Sequence, residues 1–334
     1  MMKVDYHVHL EEGPYSLNWW NRTVRAIEQF WKIPYDPHSK EWLMGTARIM
    51  NYRMEQGAFS SFWLDFYLKQ AKKIGLKEVG IVDHLYRFKE MKSFYKKYIY
   101  LENDRLGTLQ NNWLDIVSCV SIEQFAKLIE NEKRKWEAEG VRLKFGIEAD
   151  FFPGCEEDLV EILSQYQWDY VIGSVHFYKG WGFDNPDTKE YFHHFDLNVL
   201  YEEHFKVIEQ AISSKLFDIV GHLDNLKVYG FRPNEEDLKG YYRRIAQSLK
   251  ENDTATEINT GLAYRYPINE MCPSPEFLKI LSQYEVPITM SSDAHFPDDV
   301  GNLLDEAREL LKSIGIKKIA TFEKRKRIEI DLDK

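Results

Sequence analysis

Short apolar runs alternate with longer amphipathic stretches along most of this chain. The longer stretches have apolar residues at helical spacing, and three of them have clear ends, at residues 121–140, 197–215 and 234–251. The apolar runs have the length of strands and lie near residues 3–9, 78–83, 143–149, 169–176, 217–222, 254–259, 287–292 and 316–322. Strands that alternate with helices predict an α/β fold in which helical crossovers connect a parallel sheet.

Two segments interrupt the alternation. Residues 13–70 lie between the first and second predicted strands and are rich in aromatic residues, among them Trp19, Trp20, Trp31, Trp42 and Trp63. This connection is longer than a barrel crossover requires, and two interpretations stay open: a lid over a functional site, or an additional helical layer packed on the barrel. Residues 87–112 are charged and aromatic, and they either cover the same site or form a solvated surface helix.

Histidines and acidic residues stand at the carboxyl ends of the predicted strands. The first strand closes with His7 and His9, and the run at 287–292 closes with Asp293 and His295. The same placement recurs at His84, Glu148, His176 and His222. A (β/α) barrel gathers the carboxyl ends of its strands in one mouth, where enzymes of this architecture place their chemistry. Imidazoles and carboxylates are ligands for Zn, Mn and Fe, so the pattern predicts a metal-dependent enzyme.

These side chains outnumber the four ligands that one ion requires. Side chains alternate along a strand, so His7, His9 and, if the strand continues, Glu11 share one face. Glu148 is the acidic candidate in the middle of the chain, and a carboxylate can bridge two cations. We therefore expect two or three metal ions. A hydroxide between two such ions is a nucleophile at neutral pH, and paired ions also hold the oxygens of a phosphoryl group.

Composition narrows the class of protein. Ligand candidates extend from residue 7 to residue 295 of the 334 without a linker between them, so we expect one domain over residues 1–334. A net charge of −10 disfavours nucleic-acid and anionic-membrane partners. No apolar run reaches the roughly 18 residues of a membrane span, and no signal segment precedes the first strand. Three cysteines without a C-x-x-C pair, Cys119, Cys155 and Cys272, indicate reduced thiols in a cytoplasmic protein.

Six short motifs follow one another along the chain. They are Asp5-Tyr-His-Val-His9, Val82-Asp-His84, Gly146-Ile-Glu148, Gly173-Ser-Val-His176, Val220-Gly-His222 and Ser292-Asp-Ala-His295. In this order they resemble the motifs of the polymerase-and-histidinol-phosphatase (PHP) family over nearly the whole chain. Within that family the chain is most similar to the histidinol-phosphate phosphatases, through residues 173–177, 181–186, 221–224, 257–260 and 322–327.

The resemblance implies a distorted (β/α)7 barrel and a centre of three divalent ions, which would be Zn, Mn or Fe. The first ion would be held by His7, His9, Glu148 and Asp293, and the second by Glu148, His176 and His222. The third would be held by His84, His295 and one residue shortly after His9. Many relatives have a His or Asp there, whereas this chain offers Glu11 or Glu12, and Glu11 is preferred because it shares the strand face of His7 and His9. The residues assigned to catalysis are Glu148, Asp293 and His295.

The expected reaction is hydrolysis of a small phosphate monoester, with L-histidinol phosphate as the first candidate substrate. Positioning and charge stabilisation would supply most of the rate, as in phosphoryl transfer generally. Candidate partners of the phosphate are Arg265, Lys227 and Arg87; an arginine can bind it bidentately. Trp181 and Asp184 would line the other end of the substrate, where an acid would receive the ammonium group.

Three alternatives to this function are considered. An amidohydrolase barrel also begins with H-x-H, but it needs neither the pair Asp83-His84 nor the second ligand His295. A PHP nuclease or phosphodiesterase would share the metal ligands but should carry a basic track for a polynucleotide, which the net acidity disfavours. A metal-binding regulatory module with a decayed site is opposed by the completeness of the ligand set.

Overall fold

The strands of the computed structural model, which describes residues 3–11, 13 and 15–333, are mostly short and buried. In chain order they are β1 (Lys3–Val8), β2 (Leu76–Ile81), β3 (Arg142–Asp150), β4 (Tyr170–Ser174), β5 (Phe177–Tyr178), β6 (Trp181–Gly182), β7 (Ile219–Val220), β8 (Ala255–Asn259), β9 (Ile288–Ser291), β10 (Lys318–Glu323) and β11 (Lys326–Asp331). Seven of them form one parallel sheet in the order β1-β2-β3-β4-β7-β8-β9.

The two edge strands of this sheet meet, so the sheet is a nearly closed barrel. His9 donates its backbone N–H to the carbonyl oxygen of Ala294 at 2.7 Å, and Val8 pairs with Ala294 in a parallel bridge. The predicted seven-stranded barrel is thereby confirmed. The last predicted run, residues 316–322, lies outside the barrel. It becomes β10 and pairs antiparallel with β11 in a hairpin, because the seven parallel strands already close on themselves.

Helices connect the strands and cover the barrel. They are α1 (Leu17–Phe30), α2 (Lys40–Gln56), α3 (Ser61–Ile74), α4 (Lys92–Tyr98), α5 (Arg105–Val117), α6 (Ile122–Ala138), α7 (Glu156–Leu163), α8 (Leu197–Ser213), α9 (Glu235–Glu251), α10 (Gly261–Arg265), α11 (Pro275–Gln283) and α12 (Leu304–Ser313). Short 3-10 turns cover Leu85–Arg87, Lys89–Met91, Pro186–His194, Asn225–Lys227 and Pro297–Asp299. The three helices predicted from the sequence correspond to α6, α8 and α9. In the described part of the chain, no helix is long and apolar enough to span a bilayer.

The aromatic-rich segment after β1 folds into three helices that begin in the same way. Ser16, Ser39 and Ser60 are the N-caps of α1, α2 and α3, and each hydroxyl oxygen accepts the backbone N–H of a tryptophan three residues further on. Such a cap stabilises a helix by about 1 kcal/mol. A single crossover helix is enough to connect two parallel barrel strands, so two of these three helices are additional to the barrel.

The C-terminal hairpin closes the barrel at the amino ends of its strands. Arg325, in the turn between β10 and β11, donates to Asp218, which precedes β7. Phe322 packs against Tyr6 and Tyr170 with ring-centroid distances of 6.1 and 6.0 Å. These rings fill the interior at that end, so the open mouth is at the carboxyl ends of the strands, where the ligand candidates stand.

Tyr170 needs space that two glycines leave free. A methyl group on Gly80 would lie 1.8 Å from the hydroxyl oxygen of Tyr170, and one on Gly146 would lie 2.8 Å from its ring. The tyrosine hydroxyl donates to the carbonyl oxygen of Tyr6 at 2.7 Å. Glycine in the two neighbouring strands therefore lets one large side chain cross the barrel and tie β4 to β1.

Asp5 ties the first strand to the chain that follows the last barrel strand. Its buried carboxylate accepts the backbone N–H of Ser292 at 2.8 Å, the Ser292 hydroxyl at 2.5 Å and the backbone N–H of Gly301 at 2.9 Å. Replacement by alanine leaves these donors without an acceptor. We therefore expect Asp5→Ala to lose about 2 kcal/mol or more of unfolding free energy in urea titrations.

The matched control for this prediction is Asp305→Ala. Asp305, on α12, also links the chain after the last barrel strand to β1, through an ion pair with Lys3 at 2.8 Å. That pair is at the surface, where ion pairs contribute little to stability. Equal losses in the two variants would contradict the role assigned to Asp5.

Candidate metal centre

A cavity of about 690 Å³ opens at the carboxyl ends of the barrel strands. The predicted ligands that line it are Glu11, His84, Glu148, His176, His222, Asp293 and His295. Both segments that interrupt the alternation of strands and helices contribute to its wall. The first supplies Trp19 and Arg22 of α1, and the second supplies Leu109 and Asn112 of α5. Both segments therefore reach the mouth of the barrel.

The carboxylate of Glu148, on β3, lies between two groups of imidazoles. Its Oε1 is 3.0 Å from Nε2 of His222 and 3.5 Å from Nε2 of His176, and these two nitrogens are 3.2 Å apart. Its Oε2 is 3.4 Å from Nε2 of His7 and 3.5 Å from Nε2 of His9. Each oxygen of the carboxylate thus faces one of the first two ligand sets that the family resemblance implies.

Asp293 completes the group around Oε2 of Glu148, since its Oδ1 lies 3.5 Å from Nε2 of His9. The residue lies two positions after β9 and has a backbone φ of 54°, in the left-handed region. Gly261 makes room for this side chain, because a methyl group there would lie 2.7 Å from Oδ2 of Asp293. Strained backbone of this kind is common at functional sites.

His9, His84 and His295 form a third group, whose ligand atoms lie within 4.8 Å of one another. The ring of His9 is stacked against both of the others, with centroid distances of 4.2 Å to His84 and 4.3 Å to His295. Tyr86 is stacked on His84 at 4.6 Å and extends the column of rings. His84 and His295, which were expected around a third ion, therefore lie together. They contact His9, which was expected around the first ion.

Several buried ligand atoms have no hydrogen-bond partner among the described residues; they are Nε2 of His7, Nε2 of His9, Nδ1 of His84 and Oε2 of Glu148. Nδ1 of His84 is 2.6 Å from Oε2 of Glu148 but outside hydrogen-bonding geometry. Buried polar atoms are otherwise almost always paired. Nitrogen and carboxylate lone pairs that converge without a donor suit a divalent cation, so the residues present fit metal ions.

Electrostatic interactions keep several ligand candidates in the form that binds metal. Burial alone would raise the pKa of Glu148, but the surrounding imidazoles, His84 foremost, outweigh it and hold that pKa well below its usual range. Burial and the neighbouring His84 lower the pKa of His9 to about 3. Burial and the guanidinium of Arg265 lower the pKa of His295 well below its usual range. Glu148 is therefore a carboxylate and His9 and His295 are neutral at neutral pH.

Burial opposes protonation of His7 and His176, but the carboxylates of Glu257 and Asp150 beside them outweigh it, raising the pKa of His7 well above its usual range and that of His176 to about 10. These two rings would release a proton when a metal binds.

A second layer of acidic residues orients the imidazoles. The carboxylate oxygens of Glu257, on β8, lie 3.0 and 3.2 Å from Nδ1 of His7, and one of them accepts the backbone N–H of His222 at 3.0 Å. Oδ1 of Asp150 is 2.8 Å from Nδ1 of His176. Such partners fix the tautomer and the direction of a ring, so that the opposite nitrogen faces the metal.

Sequence reasoning missed both of these acids as site residues. Asp150 stands two positions after Glu148, on the same face of β3, and Glu257 stands near the carboxyl end of β8. The strand-end placement that pointed to the ligands was a usable signal for them too. The sequence around an acidic residue does not show whether it binds a metal or orients a histidine. The two roles differ in whether the carboxylate lies beside the metal-binding nitrogen of the imidazole or beside the opposite nitrogen.

Two of the predicted substrate-binding residues, Arg265 and Asp184, line the cavity. One guanidinium nitrogen of Arg265 donates to Oδ2 of Asp293 at 2.8 Å, and another is 2.8 Å from Nδ1 of His295. Burial raises the pKa of Asp184, while the His176 imidazole acts in the opposite direction. The cavity therefore has a cation beside the ligand candidates and an acid on its wall.

The other three predicted substrate-binding residues, Lys227, Arg87 and Trp181, are not among the described residues that line the cavity. Lys227 is buried and donates to Asp224 at 2.8 Å and to Glu270 at 2.6 Å. Arg87 is buried against Gly13, and Trp181 is stacked on Phe195. The structure does not bring Lys227 or Arg87 to the cavity wall. Lys227 is instead paired with two carboxylates, as a buried charge requires.

Glu11 lines the cavity but belongs to none of the ligand groups that the described residues form. Its carboxylate accepts the indole N–H of Trp19 at 3.0 Å and a guanidinium N–H of Arg53 at 3.2 Å. These donors hold it toward the additional helices, and His9 accompanies His84 and His295 in its place. The alternative candidate, Glu12, lies outside the described residues.

Comparison with known proteins agrees with this geometry. The PHP domain family matches residues 60–261. A probable histidinol-phosphatase from Deinococcus radiodurans is 32% identical over 216 residues, which are 64% of this chain and 81% of the relative. This chain belongs to the PHP family. A probable histidinol-phosphatase from Clostridium acetobutylicum is 23% identical over 193 residues, 55% of this chain and 72% of the relative.

Two solved structures share this PHP barrel fold. Histidinol phosphate phosphatase from Lactococcus lactis subsp. lactis, in complex with zinc, L-histidinol and phosphate, has a TM-score of 0.65 at 17% identity, and the match covers 98% of each chain. A putative histidinol phosphatase from Listeria monocytogenes has a TM-score of 0.62 at 17% identity and covers 91% of this chain and 99% of its own. At this level of identity the likeness concerns the fold.

Replacing Glu148 by glutamine keeps its size and removes the negative charge between the two imidazole groups. We expect the affinity of Glu148→Gln for zinc to fall at least ~10²-fold, because loss of a residue that only orients a ligand already lowers metal affinity by about 10- to 100-fold. Competition with a chelator and elemental analysis measure it. Glu323→Gln, at the closed end of the barrel, is the control and should bind zinc as the unmodified protein does. Unchanged zinc binding by Glu148→Gln would rule out a bridging role.

Proposed function

We propose that this PHP protein is a metal-dependent phosphate monoester hydrolase and that its substrate is L-histidinol phosphate. The observation that carries the proposal is the carboxylate of Glu148, which faces a group of imidazoles with each of its oxygens at the barrel mouth. The relatives named probable histidinol-phosphatase support the activity. The Lactococcus lactis structure, which holds zinc, L-histidinol and phosphate, supports the choice of substrate.

The proposed centre takes three divalent ions. The first would be held by His7, His9, Asp293 and Oε2 of Glu148, the second by His176, His222 and Oε1 of Glu148, and the third by His84 and His295. Zinc, manganese and iron all suit this mixture of imidazole and carboxylate ligands. When bound, such ions supply charge neutralisation for the phosphate and activation of water as the nucleophile.

Residues of the chain itself would place the phosphate. Arg265 contacts Asp293 and His295, which are both ligand candidates, so its guanidinium would lie beside a phosphate held at the centre and could bind two of its oxygens. In the hydrolysis, the oxygen of water forms a bond to phosphorus while the bond to the alcohol oxygen breaks in line. The alcohol leaves after taking up a proton. Arginine at this position would stabilise the charge that spreads over the phosphoryl oxygens.

Other residues on the wall of the cavity suit an aromatic amine. Asp184 follows β6 and offers a carboxylate to the ammonium group of histidinol. Tyr86 and Trp113 also line the cavity, with ring centroids 4.8 Å apart, and present an aromatic surface to the imidazole of the substrate. The ligand candidates and this aromatic, acidic part of the wall together suit the two halves of histidinol phosphate.

Protein loaded with zinc or manganese should hydrolyse L-histidinol phosphate with a kcat/KM of about 10⁴ M⁻¹s⁻¹ or more. The reaction is measured by the release of inorganic phosphate. The value for p-nitrophenyl phosphate should be well below it, and removal of the ions by a chelator should abolish both activities. Equal values for the two substrates would leave a phosphatase but reject the assigned substrate. Inactivity of the metal-loaded protein on a panel of phosphate monoesters would reject the function.

Asp184→Asn keeps the shape of the side chain and removes the charge proposed to bind the ammonium group. KM for L-histidinol phosphate should rise about tenfold or more, because a hydrogen bond between charged groups contributes about 1.5–3 kcal/mol. The kcat/KM for p-nitrophenyl phosphate, which has no ammonium group, should stay the same. Asp237→Asn changes the same group at an exposed position that is not among the residues lining the cavity and should have a smaller effect. Equal losses on both substrates would reject the ammonium contact.

A further inference from the structure

The aromatic-rich insertion, residues 13–70, binds three consecutive residues that follow β1. The hydroxyl of Tyr67, on α3, donates to the carbonyl oxygen of His9 at 2.9 Å. The indole N–H of Trp63, one turn earlier on α3, donates to the carbonyl oxygen of Leu10 at 2.8 Å. Glu11, the next residue, is bound through its side chain. Each residue of this stretch is therefore held by a donor from the insertion.

The donors to Glu11 also come from the insertion. They are the indole N–H of Trp19 at 3.0 Å, the guanidinium of Arg53 at 3.2 Å and the hydroxyl of Tyr15 at 3.4 Å. Arg53 is only 2% exposed, and its guanidinium carbon lies 4.4 Å from the ring centroid of Trp63. Because a buried guanidinium needs a counter-charge, Glu11 and Arg53 fasten α2 to the end of β1.

Tyr67 has a second contact across the barrel seam. Its hydroxyl oxygen is also 3.3 Å from the carbonyl oxygen of His295, so one fully buried group lies between the backbones of His9 and His295. These two histidines come from the first and last barrel strands and belong to the same ligand group. The seam is joined nearby by the bond from the His9 backbone N–H to Ala294. The spacing of the two imidazoles thus depends on the seam that Tyr67 spans.

We propose that the insertion is a positioning scaffold for the metal centre and that Tyr67 sets the placement of His9 relative to His295. The proposal rests on the metal-binding part of the function proposed above. Zinc–nitrogen bonds have lengths of about 2.0–2.1 Å, so a backbone shift of a few tenths of an ångström weakens them. Groups that hold ligands from outside typically change metal affinity by about 10- to 100-fold. Tyr67 acts through the two histidines, as a positioning residue.

The same contacts oppose movement of the insertion as a hinged lid. Lifting α3 would leave the carbonyl oxygens of His9 and Leu10 without their donors. Lifting α1 and α2 would leave the carboxylate of Glu11 without Trp19 and Arg53. Each buried group that loses its partner costs about 1–3 kcal/mol. The insertion is therefore a fixed part of the site wall.

The variant that tests this proposal is Tyr67→Phe, which removes one hydroxyl and leaves the ring in place. Its matched control is Tyr201→Phe. Tyr201 is equally buried, and its hydroxyl donates to the carbonyl oxygen of Phe231 at 2.8 Å, in a contact that involves no ligand candidate. The metal-free form of each full-length protein is titrated with Zn²⁺ alone in competition with a chromophoric chelator. Thermal unfolding of the metal-free forms is recorded in parallel.

We expect the zinc dissociation constant of at least one site to rise about tenfold in Tyr67→Phe and by less than about twofold in Tyr201→Phe. The metal-free forms should lose similar stability, since each lacks one buried hydrogen bond. Unaltered zinc affinity in Tyr67→Phe, or equal losses in both variants, overturns the inference and leaves the proposed function intact. Failure of the unmodified protein to bind any of zinc, manganese and iron overturns both. If Tyr67→Phe does not fold, Arg53→Gln replaces it under the same criteria.

Discussion

A buried carboxylate among imidazoles is the constraint on which the rest of this structure depends. Glu148 is 1% exposed, and burying its charge is unfavourable unless partners compensate. Burial raises its pKa, but the imidazoles of four strand ends, which belong to His84, His7, His176 and His222, lower it further than burial raises it. The charge of Glu148 is stable in this buried position only because the barrel brings these four strand ends together around it.

Ligand groups that converge on one space have to be held there by other parts of the protein. Glu257 binds the ring of His7 and the backbone of His222, and Asp150 binds the ring of His176. The lone pairs left without donors point inward, and this is an arrangement that a cation stabilises. Metal binding and conformational stability are therefore linked in this protein, since an ion that binds only the folded chain shifts the folding equilibrium.

The additional helices change the barrel on one side only. Together with the crossover helix they form the three helices between β1 and β2. Each of the three has a serine N-cap, and they bind the residues that follow β1 through aromatic and basic donors. The cavity consequently has an aromatic wall beside the ligand candidates, while the loop that carries Asp184 forms another side. A PHP barrel can in this way keep one metal chemistry and vary the alcohol that it accepts.

Periodicity was sufficient to predict a parallel α/β fold, and strand ends were sufficient to name most of the residues now found together at the barrel mouth, because both signals are local. The seven-stranded barrel was expected from the resemblance to the PHP family. A strand-length apolar run followed by His or Glu indicates a strand with a ligand candidate at its carboxyl end, whatever the position of that strand in the barrel. The partners of long charged side chains were not predictable in this way. Lys227 and Arg87 looked available for phosphate, and Glu11 looked available for metal, yet Lys227 meets Asp224 and Glu270 while Glu11 meets Arg53. Tertiary packing decided these pairings, because a buried charge binds whichever counter-charge the fold brings within reach.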